Sequence, residues 1–288
     1  MFLTSSANND RPRLSRTERV RLNVSRVVIW FAIILTLYPA VWILMASFAK
    51  GESFFMKSLF PKSLTLSNYA KLLQKTDFIT WVINTLKISF AVTIVQIILT
   101  ATAAYAFSRM RFVGRKRGLM SLILLQVFPS SMAVAGYYTL VYRFGLVDSS
   151  IALILVLSGG SAFNIWLLKS YIDTVPKELD ESAFLDGAGH FRVFIKIILP
   201  LALPQITVIS LFSFIAAYSE YVIASIFIQS PQKRTLALGM QMFLDHQFAA
   251  NWTLFAAAAV LSSLPIMIIF MMLQNYIQSG LTAGGIKE

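Results

Sequence analysis

Six long apolar stretches decide what this chain can become, because an α-helix needs roughly 20 apolar residues to cross a bilayer core about 30 Å thick. They lie near 27–48, 79–107, 118–142, 150–171, 201–229 and 253–278. In hydrocarbon every backbone N–H and C=O must be paired within the protein, which only helices and closed barrels achieve. Barrel strands would alternate in polarity over about ten residues, and these runs are too long and too uniformly apolar for that. The expected fold is therefore an all-α membrane protein with six transmembrane helices. Charge agrees with it: only Lys87 and Glu220, with Lys169 near one end, fall inside the six stretches, as the cost of an ion in hydrocarbon requires.

Lysine and arginine then orient the chain. If the amino terminus is cytoplasmic, the inside segments hold 16 of these cations and the outside segments 8, which predicts both termini inside. Residues 1–26 read as a basic cytoplasmic tail, 27–278 as the spanning domain and 279–288 as a second cytoplasmic tail. The stretch before Arg26 has neither an apolar core nor a small-residue cleavage site, so the first span is expected to persist rather than leave as a signal peptide. The net charge of +12 raises nucleic acid as a partner. With no recognition module beside them, the arginines read instead as topology signals that touch anionic membrane lipid.

Several chemistries drop out. There is no cysteine, hence no disulfide, thiolate ligand or cysteine nucleophile. His190 and His246 fall on opposite sides of the membrane in this topology and cannot share a metal. No phosphate-cradling G-x-x-x-x-G-K-[ST] is present, so an ATP-driven process would depend on another subunit's hydrolysis.

One stretch breaks the apolar pattern. "TVPKELDESAFLDGAGHFRVFIKIILPLALP", residues 174–204, gathers four carboxylates, a histidine and three cations between the fourth and fifth spans. Pro176 suits a first helical turn, Thr174 is placed to cap it, and Glu178, Asp180 and Glu181 complement the positive end of a helix. Gly187 stands where a left-handed residue would end that helix, and Gly189 loosens the corner. Leu179 and Ala183 are expected to face a partner's groove. Pro200 and Pro204 limit the continuity of the segment that re-enters the bilayer.

The spacing of this stretch is specific. Glu181-Ser182-Ala183, then Gly187, Ile197 and Leu199-Pro200, resembles the E-A-A-x3-G-x9-I-x-L-P loop of ABC importer permeases, with Ser182 in place of the first alanine. "LTLSNYAKLL" (64–73), "TAAYAFSRMRFVGRK" (102–116), "FIAAYSEYVIAS" (214–225), "TLALGMQ" (235–241) and "SGLTAGGIKE" (279–288) extend the likeness over nearly the whole chain. Together they resemble the MalG-like maltose/maltodextrin permeases, carbohydrate permeases that depend on a binding protein.

The resemblance implies a type I ABC importer permease architecture and a transport subunit without its own ATPase site. Its implied partners are a MalF-like companion permease, two copies of a MalK-like cytoplasmic ATPase that hold ATP and Mg, and an extracytoplasmic sugar-binding protein. It implies that the loop 174–200 docks on the ATPase, with Glu178, Glu181, Ser182, Ala183, Asp186, Gly187, Ile197, Leu199 and Pro200 carrying the coupling. It also implies that the tail, with Gly284, Gly285 and Lys287, enters the ATPase dimer interface. The glycines at 280, 284 and 285 argue against a stable helix there.

An ionisable residue inside a span is a functional candidate by default. Glu220, with Tyr218 and Tyr221 beside it, is the expected lining of the translocation path or else a structural pair, while Lys87 is expected to snorkel outward. The long segment 230–252, containing Asp245 and His246, is the expected surface for the binding protein. The rival readings are a permease for a different sugar and an ion-coupled secondary transporter built on Glu220.

Overall fold

The computed structural model describes residues 15–51, 60–61, 63–126, 130–244 and 251–283. Helix α1 spans Arg16–Ser47, α2 Ser67–Lys75 and α3 Phe78–Arg109. Next come α4 (Arg115–Gln126), α5 (Ser130–Arg143), α6 (Ser150–Ser158), α7 (Ala162–Thr174) and α8 (Glu178–Leu185). After these, α9 (His190–Val193) runs through a wide turn into α10 (Leu199–Leu201), followed by α11 (Leu203–Tyr218), α12 (Val222–Phe227), α13 (Leu236–Gln241) and α14 (Trp252–Ala283).

α1, α3 and α14 are each long and apolar enough to cross a membrane, and two bent pairs, α6–α7 and His190–Leu201 with α11, also qualify. The stretch expected as the third span falls on α4 and α5, which flank residues outside the described set. α1 begins well before the expected first span. Ser15 and Glu18 form a reciprocal cap, in which Glu18 N–H donates to Ser15 Oγ at 3.3 Å and Ser15 N–H donates to Glu18 Oε2 at 2.8 Å. The basic stretch from Arg16 is thus helical.

α3 is the spine, packed by α11, α7 and α6. Its inward stripe of Thr85, Ser89, Thr93, Gln96, Thr100, Ala101 and Ala104 is buried, and small side chains let neighbouring backbones come close where lipid gives no hydrophobic drive to association. Gly239 on α13 makes the closest approach: a Cβ there would stand 2.1 Å from the Trp81 indole. Three apolar clusters follow the spine. One surrounds Phe227 and Leu153, one surrounds Tyr105, Leu168 and Ile198 near Arg109, and one surrounds Trp81, Phe243 and Ala257 near Phe78.

The fourth and fifth spans are not straight rods. α6 and α7 meet at 47° across Gly159 and Gly160, and the segment ending at Leu201 meets α11 at 78°. Before the second bend, Phe194–Ile198 widens into a π-helix. Pro200 offers no N–H to the carbonyl of Lys196, and its ring crowds that carbonyl, so the wider turn relieves the conflict. The expected fifth span, 201–229, is interrupted again: α11 stops at Tyr218 and α12 restarts at Val222.

Beyond α12 the chain is held to the α5–α6 turn. Asp148, in the left-handed region at φ 57, accepts N–H donations from Gln229 and Ser230 at 2.9 Å each, and Lys233 pairs with it at 3.0 Å. These contacts hold the Asp148 carboxyl far below the usual carboxylate range, the Ser230 hydroxyl contributing most.

Candidate functional site

The polar stretch folds as two short elements joined by a tight corner and seated on the Arg109 end of α3. α8 starts at Glu178, after Pro176 rather than at it. Thr174 belongs to α7 and donates its hydroxyl back to Tyr171 O at 2.7 Å, so it does not cap α8 as expected. The three early carboxylates, Glu178, Asp180 and Glu181, lie in the first turn, where the helix dipole favours negative charge.

The far end of α8 closes as the glycine predicts. Gly187 takes φ +82, its N–H donates to Phe184 O at 3.0 Å, and Ala188 N–H donates to Ala183 O at 2.9 Å. This double closure is the Schellman motif, and the accompanying apolar contact is supplied by Ala183 and Ala188, both packed on the cluster near Arg109. Ala183 is thus half-buried against that cluster, while Leu179 is exposed.

Successive helical residues turn by about 100°, which sorts α8 into two faces. Glu178, Leu179, Glu181, Ser182, Leu185, Asp186 and Gly187 are exposed, Leu185 at 90%. Asp180 is buried at 4%. Its Oδ2 lies 2.6 Å from Arg109 Nε, and both side chains are almost sealed from solvent. Arg109 also donates through Nη2 to Val175 O at 2.7 Å. Burial pushes the Asp180 carboxyl above its ordinary value, against the opposing pull of the Arg109 guanidinium.

Further contacts pin the corner. Ser108 donates its hydroxyl to Asp173 Oδ1 at 2.6 Å, and Lys169 forms an ion pair with the same carboxylate. Arg115 caps α3 by donating to Phe107 O and Ser108 O at 2.7 Å each. The Tyr105 hydroxyl reaches the His190 carbonyl at 3.3 Å, and the His190 ring meets Phe184 edge-on at 4.9 Å. Ile197 and Leu199 pack half-buried on the same cluster, with Val193 and Ile198 fully buried between them. Pro200 is exposed.

Sequence reasoning gives Asp180 only a place at the positive helix end and does not single out Arg109 or Tyr105. Asp180 was readable from the helical wheel, since two residues turn it about 200° away from Glu178. Arg109 is 71 positions earlier and looked like one cation among several.

The other candidate residues are not gathered here. Glu220 occupies the break between α11 and α12, and its Oε1 accepts the Ile223 N–H at 2.6 Å. It caps α12 and is not a free carboxylate on a continuous fifth helix. Tyr218 is buried at 5% and donates its hydroxyl to Ser262 O at 2.9 Å on α14, so it faces packing rather than a path. Tyr221 is 40% exposed, and Lys87 is exposed. α14 continues through Gly280 to Ala283, so that glycine does not stop the helix. Gly284, Gly285, Lys287, Asp245 and His246 lie outside the described residues. Among the described residues no three side chains of His, Asp or Glu converge as metal ligands.

Residues 19–283 match the family described as the binding-protein-dependent transport system inner membrane component. The maltodextrin transport system permease protein MdxG of Bacillus subtilis (strain 168) is 38% identical over 255 residues, covering 88% of this chain and 92% of its own. The galactooligosaccharides transport system permease protein GanQ of the same strain is 37% identical, covering 93% and 96%. MalG of Escherichia coli (strain K12), a maltose/maltodextrin transport system permease protein, is 33% identical and covers 94% and 98%. Among solved structures, a chain of a bacterial ABC transporter that imports alginate superposes with a TM-score of 0.79 at 24% identity, covering 92% of this chain and 99% of that one.

Proposed function

The chain belongs to the binding-protein-dependent transport system inner membrane components, and from that premise we propose that it is a permease subunit of an ATP-driven importer for maltodextrin or a closely related oligosaccharide. The named relatives handle maltodextrin, maltose and galactooligosaccharides, and the fold is that of a type I importer permease.

One observation carries the coupling role: an exposed acidic and apolar face, Glu178, Leu179, Glu181, Leu185 and Asp186, sits on a corner whose other face is locked to α3 by Arg109 and Asp180. A surface that receives a partner's movement needs both an open face and a stiff mount. In this reading α8 docks on a cytoplasmic ATPase that holds ATP and Mg, and Gly187, Ile197, Leu199 and Pro200 fix the angle at which the movement enters the fifth span. Both termini are cytoplasmic, and the tail with Gly284, Gly285 and Lys287 reaches the ATPase pair. A MalF-like permease completes the membrane unit, and an extracytoplasmic binding protein delivers the sugar to the opposite face. Glu220 is then a structural cap, which removes the basis for an ion-coupled carrier.

The test is purification of the chain with its companion permease and ATPase, followed by ATP hydrolysis in vesicles with binding protein loaded with maltotriose or with a galactooligosaccharide. Stimulation by one loaded form identifies the sugar. Gly187→Asp is expected to leave the chain in the membrane while abolishing stimulation. Undiminished stimulation in that variant would refute the role given to the corner.

A further inference from the structure

The segment that joins α8 to the fifth span does not run along that span. His190–Leu201 meets α11 at 78°, and α11 packs on α3, a helix long enough to cross the bilayer. A segment at that angle to a spanning helix lies close to the plane of the membrane. Its residues 190–201 extend for about 18 Å at 1.5 Å per residue, beside the Arg109 end of α3.

Its side chains divide by environment. Val193 and Ile198 are fully buried on the cluster around Tyr105 and Leu168, so one flank belongs to the protein. The other flank is open. Phe191 is 75% exposed, and Ile195, four residues on, is exposed with it; residues at that spacing are neighbours on a helix surface. Arg192 and Lys196 repeat the spacing beside them and are also exposed. The open apolar surface continues through Leu201 to Leu203 at the start of α11.

The two cations have no counter-charge of their own. Among the described residues neither Arg192 nor Lys196 belongs to an ion pair, and the sequence holds no carboxylate between Asp186 and Glu220. The acidic groups of this corner are committed elsewhere: Asp180 is taken by Arg109, and Glu178, Glu181 and Asp186 lie on the open face of α8. Water alone would suit the cations but not the apolar stripe, and lipid tails alone would suit the stripe but not the cations. A helix in the membrane interface meets both needs, with its apolar residues sunk to the acyl boundary and its cations among anionic headgroups. Long Arg and Lys stems span the short distance between the two levels.

We propose that His190–Leu201 is an interfacial helix that seats an anionic phospholipid, with Phe191, Ile195 and Leu201 against the acyl chain and Arg192 and Lys196 on the headgroup phosphate. The joint through which α8 drives the fifth span then moves over lipid and not over another subunit. That the lipid belongs to the cytoplasmic leaflet rests on the orientation proposed above.

The absence of cysteine makes the test direct. Phe191→Cys, Ile195→Cys and, on the open face of α8, Leu185→Cys each carry a bimane fluorophore in the assembly with companion permease and ATPase. The assembly is held in nanodiscs of phosphatidylcholine and phosphatidylglycerol. Labels at 191 and 195 are expected to be quenched by brominated phospholipid and shielded from acrylamide in the water. Brominated phosphatidylglycerol should quench several-fold more than brominated phosphatidylcholine at equal mole fraction. That preference should vanish when Arg192→Gln and Lys196→Gln are combined, and should survive added inorganic phosphate. Quenching by acrylamide but not by bromolipid, or an equal response to the two lipids with both cations present, would overturn the proposal. Loss of the preference in inorganic phosphate would overturn it too, by marking a site for the free ion. Stripping the ATPase should leave the emission at 191 and 195 unchanged; a change there like that at 185 would show that the ATPase covers this flank. The docking of α8 is read separately at 185: emission blind to the ATPase defeats that reading, while the lipid contact at 191 and 195 is decided by its own quenching.

Discussion

Arg109 and Asp180 make each other tolerable. Their ion pair is nearly sealed from solvent, so removing one partner strands a buried charge, which typically costs about 3–5 kcal/mol. Arg109→Ala should lower the thermal midpoint of the purified assembly markedly and loosen α8. The apolar pair Arg109→Met with Asp180→Leu should recover much of that loss, because replacing both charges removes the desolvation cost together with the attraction. A double substitution no more stable than Arg109→Ala would show that the pair itself holds the corner.

Asp148 makes a different prediction, one of pH. Its folded-state carboxyl lies well below the unfolded value near 3.8, so its contribution is fully present above that value and lost as pH falls through the folded one. The stability difference between the wild type and Asp148→Asn should hold steady from neutral pH down toward 3.8 and shrink only below it. A difference that vanished in the mildly acidic range would show that the Ser230 and Lys233 contacts do not form. The sequence revealed neither pair, since both join residues far apart in the chain. It did reveal Gly187, because helix termination is a local matter.

At the scale of elements, length and apolarity were legible while continuity was not. A run such as 201–229 satisfies the bilayer whether it is one helix or two, and hydropathy is blind to the breaks at Ala202 and at 219–221. Pro200 marked the first, although the π-type turn that accommodates it depends on packing around Ile198. Glu220 was read as a costly charge in a span. The cost is lowered because it caps the helix that restarts beside it. Ala183 shares an i, i+4 spacing with Leu179, yet it alone of the two is half-buried on the cluster beneath α8, which spacing does not reveal. Element packing gives its own prediction at Gly239. An added methyl would collide with the rigid Trp81 indole at 2.1 Å, so Gly239→Ala must displace α13 from α3, at about 1–3 kcal/mol for overpacking. Reduced thermal stability with unaltered membrane insertion is the expected result, and an unchanged midpoint would mean that α13 shifts freely.

At the scale of the whole molecule, the family and its architecture were legible because the spacing of the polar stretch and the wording of several distant segments recur together. The lie of His190–Leu201 was not, because a run that turns by 78° before α11 has the same hydropathy as one that runs straight. The proposed reach of the tail toward the ATPase belongs to this scale as well. Deleting residues 283–288 should lower sugar-stimulated ATP hydrolysis severalfold while leaving co-purification of the companion permease intact. Unchanged hydrolysis would show that the tail is dispensable.

α3, with 32 residues, is a rod about 48 Å long at 1.5 Å per residue. Its Arg109 end is clamped to α8, and near its midpoint Gln96 grips the broken span through Leu157. Around these points α6, α7 and α11 pack along it, and its Phe78 end is buried in the cluster with Trp81. A rod held along its whole length tilts as one body, so the coupling proposed for α8 would carry a displacement of that helix toward the opposite face of the membrane without any helix changing its length.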